Sequence, residues 1–157
     1  MGGAGADKAA AYGAAHAQLA SVLEDCPDFV AALASTAALL KDTFPHFFWV
    51  GFYLPEPDGA LRVGPYQGPL ACLRLPAGQG VCGAVATRRE TLIVPDVHAF
   101  PAHIACDPRS RSEIVVPLLR DGELIAVLDV DSDRPDAFDE ADRDALEKVA
   151  RLVAAVP

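Results

Sequence analysis

The sequence predicts an α+β domain in which helices flank an antiparallel sheet. Two helical segments come first, the middle stretch reads as strands joined by hairpins, and a capped amphipathic helix closes the chain. With 157 residues, 52% hydrophobic and 22% charged, the chain can bury a core without disulfide or metal staples and has no room for a second domain. One domain is therefore expected over residues 1–157.

Residues 1–6 are Gly/Ala-rich and are expected to form a loose tail. Ala9 to Glu24 and Asp28 to Leu40 read as helices broken at Cys26-Pro27, because proline cannot donate into the preceding turn. His46 to Leu54 is rich in aromatic and β-branched residues, and the turn Pro55-Glu56-Pro57-Asp58-Gly59 leads to a second strand at Leu61 to Tyr66. From Gln67 to Gly80 the Pro/Gly spacing allows little regular structure, whereas Val81 to Arg89 can form a short helix and Thr91 to Val94 a short strand.

Asp96 to Ser112 is a long irregular segment, and since loops of that length in compact domains are usually functional or disordered, a functional loop is the expectation. Ile114 to Leu119 and Glu123 to Ser132, around Arg120-Asp121-Gly122, give the strongest hairpin signal in the chain. Asp139 should cap the last helix, which runs to Val156 with Leu146, Val149, Leu152, Val153 and Val156 as its apolar stripe.

Charge and hydropathy exclude several classes. The formal net charge is -9, and the 13 basic residues form no dense block that could neutralise adjacent phosphates, which argues against nucleic acid and anionic membrane. No apolar run reaches the roughly 18 to 20 residues needed to span a bilayer, and the Ala-rich start lacks the features of a signal peptide. A cytoplasmic protein is expected, and its four cysteines are then reactive, metal-binding or merely buried rather than a disulfide framework.

Strand alternation places Asp129 and Asp131 on one face, about 7 Å apart. A strict two-residue turn would set Glu113 opposite Val130, on the wrong face. A three-residue turn over Arg120-Asp121-Gly122 would pair Leu119 with Glu123 and bring Glu113 opposite Asp129, and this bulged turn is the expectation. Three carboxylates on one patch repel, so at least one should hold its proton and serve as a general acid while the others receive an ammonium. The plainer alternative is that the acids solvate a strand end.

Trp49, Gly51 and Tyr53 share a strand face, and the glycine is expected to leave space between two rings for an apolar group, unless the stripe is ordinary core. Cys72, Cys82 and Cys106 lie in or beside loop-like segments, which favours accessible thiols, whereas Cys26 looks like incidental packing. A helix start would favour the Cys82 thiolate, and His103, Arg109 and Arg111 offer cations near Cys106, while the carboxylates act in the opposite sense. A zinc site from His98, His103, Cys106 and another cysteine is weighed and set aside, because no paired C-x2-C knuckle is present.

The segments Gly64-Pro-Tyr-Gln-Gly68, Ala71-Cys72-Leu-Arg74, Gly80-Val-Cys82-Gly83, Val94-Pro-Asp-Val97, His103-Ile-Ala-Cys106-Asp107, Ser112-Glu113-Ile-Val-Val-Pro117 and Leu128-Asp-Val-Asp131-Ser132 together resemble the free methionine-(R)-sulfoxide reductase family of single-domain GAF proteins. The resemblance runs from Trp49 to the C-terminus and implies a GAF-like, six-stranded antiparallel sheet flanked by N-terminal and C-terminal helices. It also implies reduction of the R epimer of the free amino acid's sulfoxide.

On this resemblance Cys106 attacks the sulfoxide sulfur and becomes a sulfenic acid, Cys72 resolves it, and Cys82 takes either a direct part or relays the disulfide. Glu113, Asp129 and Asp131 bind the substrate ammonium and assist protonation of its oxygen, while Trp49 and Tyr53 surround the methyl group. Thioredoxin should reduce the resulting disulfide by exchange, no metal or organic cofactor is required, and a homodimer is implied. The competing expectation is a non-catalytic GAF module that senses a small molecule or redox state, from which the cysteine set discriminates.

Overall fold

The computed structural model describes residues 3–157. In chain order it contains α1 (Ala4–Leu23), α2 (Phe29–Thr43), β1 (Trp49–Pro55), β2 (Leu61–Gln67), β3 (Arg74–Leu75), α3 (Gly80–Arg88), β4 (Leu92–Val94), a 3-10 turn at Val97–Ala99, β5 (Ser112–Arg120), β6 (Glu123–Ser132) and α4 (Glu140–Ala154). The strands form one six-stranded sheet in the order β3-β2-β1-β6-β5-β4, every pairing antiparallel. The architecture is α+β, as the sequence predicts.

Alternation along the central strands divides the interior in two. Val50 and Phe52 on β1, Ile114, Val116 and Leu118 on β5, and Leu128 and Val130 on β6 meet Leu33 and Leu40 of α2 and Leu146 and Val153 of α4. The opposite face carries Trp49, Tyr53, Val115 and Val127, which are covered by Val81, Cys82 and Val85 of α3 and by Val97. Because both faces are covered, a side chain that points away from the helical core still points into protein.

Helix α1 packs chiefly over α2 and α4. Of the expected loose tail at residues 1–6, Ala4, Gly5 and Ala6 are already helical, and residues 1 and 2 lie outside the described part. Tyr12 Oη donates to Asp142 Oδ1 at 2.5 Å, and Lys8 Nζ lies 2.7 Å from Asp142 Oδ2. Asp142 is wholly buried and also accepts from the Asp139 backbone N–H in the capping box of α4. This anchor, together with the high helix propensity of alanine, orders the first turn. At the Cys26-Pro27 break, Asp28 caps α2 by accepting from Ala31 N–H at 2.8 Å.

The β5–β6 hairpin departs from the expected three-residue turn. Arg120 pairs with Glu123, so the loop is the two residues Asp121 and Gly122, both at positive φ (52° and 78°), as a primed hairpin turn requires. Such a turn alone would misplace Glu113. The register then shifts, because Leu119 pairs with Leu124 but Leu118 pairs with Ala126, leaving Ile125 as a bulge. Glu113 consequently faces Asp131, not Asp129 as expected, and all three acids remain on one face.

The Gln67–Gly80 stretch also contains a strand not read from the sequence, β3, whose two residues pair with Leu61 and Arg62 at the sheet edge. No helix among the described residues is long and apolar enough to cross a membrane.

Candidate active site

The face of β1, β5 and β6 opposite the helical core forms the floor of a cavity walled by the Cys72 loop, the start of α3 and the irregular segment before β5. Trp49 is paired with Asp131 and Gly51 with Asp129 across β1–β6, and Glu113 with Asp131 across β5–β6. Oxygen atoms from Glu113, Asp129 and Asp131 lie within 4.8 Å of one another. A cation or a substrate ammonium could be held at that spacing.

The three carboxyl groups are 7%, 6% and 9% exposed, and no lysine or arginine lines the cavity with them. Burial foremost, and then the charges of Asp129 and Asp131, raise the pKa of Glu113 well above the usual carboxylate range. Asp129 is likewise raised, by burial and then by Asp131, and its Oδ1 is buried without a hydrogen-bond partner. Burial also raises Asp131, but hydrogen bonds from Glu113 and Asp129 limit the rise to about 6. Glu113 and Asp129 thus hold their protons more tightly than Asp131, the kind of division that repulsion among three acids predicts.

The aromatic pair is present, but the expected gap between the rings is not. Trp49 and Tyr53 stack with centroids 5.9 Å apart, Trp49 also stacks on Tyr66 at 5.2 Å, and a Cβ at Gly51 would stand 2.6 Å from the Trp49 ring. Glycine is needed because both the Cβ of Tyr66, its partner on β2, and the Trp49 indole crowd the position, and the cavity opens beside the pair. The polar tips of both rings hold the loop that carries Cys72: Trp49 Nε1 donates to the Pro69 carbonyl and Tyr53 Oη to the Cys72 carbonyl, each at 3.1 Å. Burial, with Asp129 next, keeps the Tyr53 phenol protonated and able to donate.

Cys72 and Cys106 form a disulfide with their Cα atoms 5.3 Å apart, closing a 34-residue separation at the cavity wall. Cys106 is exposed and Cys72 half-buried. Cys82 corrects the expectation of an accessible thiol, because it is buried in the first turn of α3. Burial, then Asp129, Glu113 and Asp131, raise its pKa well above the ordinary thiol range, overriding the helix dipole. Cys26 is half-buried at the edge of the helical core, where its thiol donates to the Asp28 carbonyl.

The cations expected near Cys106 are largely engaged elsewhere. Arg109 pairs with Asp107 at 2.7 Å and lies over the Phe48 ring at 4.8 Å, while burial and His98 lower the pKa of His103. His98, His103 and Cys106 do not form a metal-holding set among the described residues, since the Cys106 sulfur is bonded to Cys72.

Several wall residues escape a reading of the sequence. Phe48 lines the cavity although it neighbours Trp49, because it precedes β1 and strand alternation does not apply to it. Gln79, Ile104 and Ser110 enter from loops, the last two from the irregular segment whose length alone had marked it.

The sequence model of the GAF domain matches residues 28–156. Free methionine-R-sulfoxide reductase of Escherichia coli (strain K12) is 46% identical over 125 residues, covering 79% of this chain and 75% of that protein. The chain belongs to the free methionine-R-sulfoxide reductase family of GAF proteins. GAF domain-containing protein A of Dictyostelium discoideum is 51% identical over 124 residues, 79% of this chain and 78% of that protein. Among solved structures, free methionine-R-sulfoxide reductase from Neisseria meningitidis in complex with its substrate matches with a TM-score of 0.91 and 50% identity, covering 94% of this chain and 88% of that one. In this chain Cys72 and Cys106 are joined at the wall of the cavity.

Proposed function

We propose that the chain reduces free L-methionine-(R)-sulfoxide to L-methionine, with Cys106 as nucleophile and Cys72 as resolving thiol. The observation that carries this reading is the Cys72–Cys106 disulfide at the wall of a cavity floored by three buried carboxyl groups. In the reduced protein, anionic Asp131 receives the substrate ammonium and the Trp49–Tyr53 wall takes the S-methyl group.

Glu113, which burial keeps protonated, is the proton donor that geometry and charge favour. As it protonates the sulfoxide oxygen, the Cys106 sulfur attacks the substrate sulfur. The hydroxyl then passes from the substrate sulfur to the Cys106 sulfur as the transient bond between the two sulfurs breaks. Methionine leaves with that electron pair, Cys106 becomes a sulfenic acid and its former thiol proton restores Glu113. Cys72 then attacks that sulfur, water leaves and the disulfide forms, so two thiols have supplied two electrons. Cys82, held as a neutral thiol beside Asp129, contributes to the wall and can replace neither partner without leaving its buried position.

Recycling by thioredoxin in the cytoplasm and assembly as a homodimer belong to the same proposal and rest on the family resemblance.

Methionine release from the separated R and S epimers of the free sulfoxide, with dithiothreitol as reductant, tests the activity. Turnover of the R epimer alone is expected, and its loss in folded Cys106→Ser. A small-molecule sensor would bind the sulfoxide and release it unchanged, and that result would replace the enzymatic reading. Wild-type turnover by Cys106→Ser would move the nucleophile to another thiol.

A further inference from the structure

Cys72 lies between β2 and β3 on residues 68–73, a stretch that belongs to no helix or strand. Its leucines do not seat it, since Leu70 and Leu73 are 86% and 72% exposed, and Ala71 and Cys72 pack only partly against the sheet. The stretch is held instead through its carbonyls. Pro69 accepts from Trp49 Nε1 and Cys72 from Tyr53 Oη, each at 3.1 Å, and Leu73 accepts from Val63 N–H at 2.9 Å. Tyr53 and Val63 are partners across β1 and β2, so the successive carbonyls of Cys72 and Leu73 are fastened to one neighbouring pair of strand residues. Among the described residues, Tyr53 is the one side chain that donates to the backbone of either bridge cysteine.

While the Cys72–Cys106 bond is intact it ties the loop down by itself. Once that bond is open, the carbonyl contacts are what keep Cys72 from swinging into solvent. Tyr53 is 2% exposed, and burial, then the Asp129 charge, raises the pKa of its phenol, so the donor does not titrate away as the thiols ionise. Two reacting groups held in contact geometry react as one molecule and avoid the entropy of a fresh encounter.

We propose that the Tyr53 hydroxyl positions the resolving thiol: through the Cys72 carbonyl it keeps Cys72 beside Cys106 in the reduced protein, a task separate from the contact its ring makes with the substrate methyl group. The inference rests on the reading of Cys106 as nucleophile and Cys72 as resolving thiol. In the closing step the Cys72 sulfur attacks the Cys106 sulfenic sulfur, the S–O bond breaks as the S–S bond forms, and the hydroxyl leaves with the Cys72 proton as water. The Tyr53 hydroxyl exchanges neither proton nor electron in it.

The test compares wild type with Tyr53→Phe, which keeps the ring and deletes the donor. Reduced protein is mixed with an equimolar amount of the free R-sulfoxide and no reductant. Quenched samples give the rates of methionine release and of Cys72–Cys106 bridge formation, and dimedone reports the sulfenic acid. Bridge formation should slow by about three- to ten-fold relative to methionine release, the worth of one hydrogen bond, with more dimedone adduct on Cys106. In a Cys72→Ser background the same substitution should leave the sulfenic acid lifetime within about two-fold, since no resolving thiol remains to be positioned. Equal slowing of both steps, or a changed lifetime in that background, would reduce Tyr53 to a structural part and overturn the proposal, as would unaltered bridge formation. Equilibration of the full chain with glutathione and its disulfide needs no sulfoxide, and there the bridge should be less favoured in Tyr53→Phe by a similar factor. If that shift appears while wild type releases no methionine, the proposed activity falls and the positioning role stands; without the shift the positioning role falls.

Discussion

Glu113 stands directly across from Asp131 on neighbouring strands, and both carboxyl groups are buried. Burial raises both, and Glu113 holds its proton more tightly than Asp131 does. This asymmetry lets one small patch both bind a cation and donate a proton, and it separates the effects of the two amide replacements. Glu113→Gln removes the donor and should lower kcat by about two to four powers of ten. Asp131→Asn removes the counter-charge and should act mainly on KM. Steady-state kinetics of methionine release checks both, and equal effects on kcat and KM in the two variants would contradict the division of labour.

Stability should fall as pH rises through the cluster's titration. The pKa of Asp131 moves from 3.8 unfolded to about 6 folded, and Glu113 and Asp129 move in the same direction. The folded state therefore binds more protons than the unfolded state, and the free energy of unfolding decreases above the unfolded pKa. For Asp131 the loss is spread between pH 3.8 and about 6, and for the other two it continues upward. Thermal unfolding of the double variant Glu113→Gln/Asp129→Asn should show a flatter pH dependence than wild type from pH 5 to 8. Identical slopes would refute the assignment.

Tyr12→Phe should destabilise the fold by about 1 to 2 kcal/mol, because it removes a buried hydrogen bond to a charged group. Asp142→Ala should cost more, about 3 kcal/mol, since it strands both Tyr12 and Lys8 and dismantles the α4 cap. Urea titration measures both. As the anchor lies on the far side of the sheet from the cavity, kcat of the folded Tyr12→Phe variant should be unchanged.

Gly51→Ala should push β2 away at Tyr66 and displace the Trp49 indole, because the added carbon would collide with the Tyr66 Cβ and stand 2.6 Å from the ring. Overpacking of this kind costs about 1 to 3 kcal/mol. A tilted indole would also strain its hydrogen bond to Pro69, so KM should rise and Trp49 fluorescence, the emission of the chain's single tryptophan, should shift.

Alkylation of the oxidised protein at pH 8 should modify Cys26 and spare Cys82. Both are free thiols, but Cys82 is buried and burial with three neighbouring acids keeps it protonated. Mass spectrometry of the labelled peptides reads the result.

Much of this was legible from the residues because it rests on short-range rules. The period of two on β1, β5 and β6 and the Asp139 cap of α4 follow from local chemistry, and so does placing the acids on one face. The hairpin register was not, because Arg120-Asp121-Gly122 is compatible with two loops and the bulge at Ile125 has no local signature. The burial of Cys82 depends on α3 packing over the sheet, and the filled space at Gly51 on the tilt of an indole set by Tyr66. Both are tertiary outcomes. Alanine-rich Ala4–Ala6 read as a tail because its anchor, Asp142, is 130 residues from Tyr12 in sequence.

The extra residue at Ile125 works as a frame shifter. On β5 and β6 the acids that do chemistry and the aliphatics that make the interior are interleaved on the same strands, so the two sets exchange places whenever the phase changes by one. Were Ile125 paired in an unbroken ladder running out from Arg120 and Glu123, Glu113 would instead stand across from Val130, setting an acid against a core aliphatic. A further residue inserted between the turn and Ala126 would likewise have to be absorbed as an unpaired one for acids and aliphatics to keep their own sides.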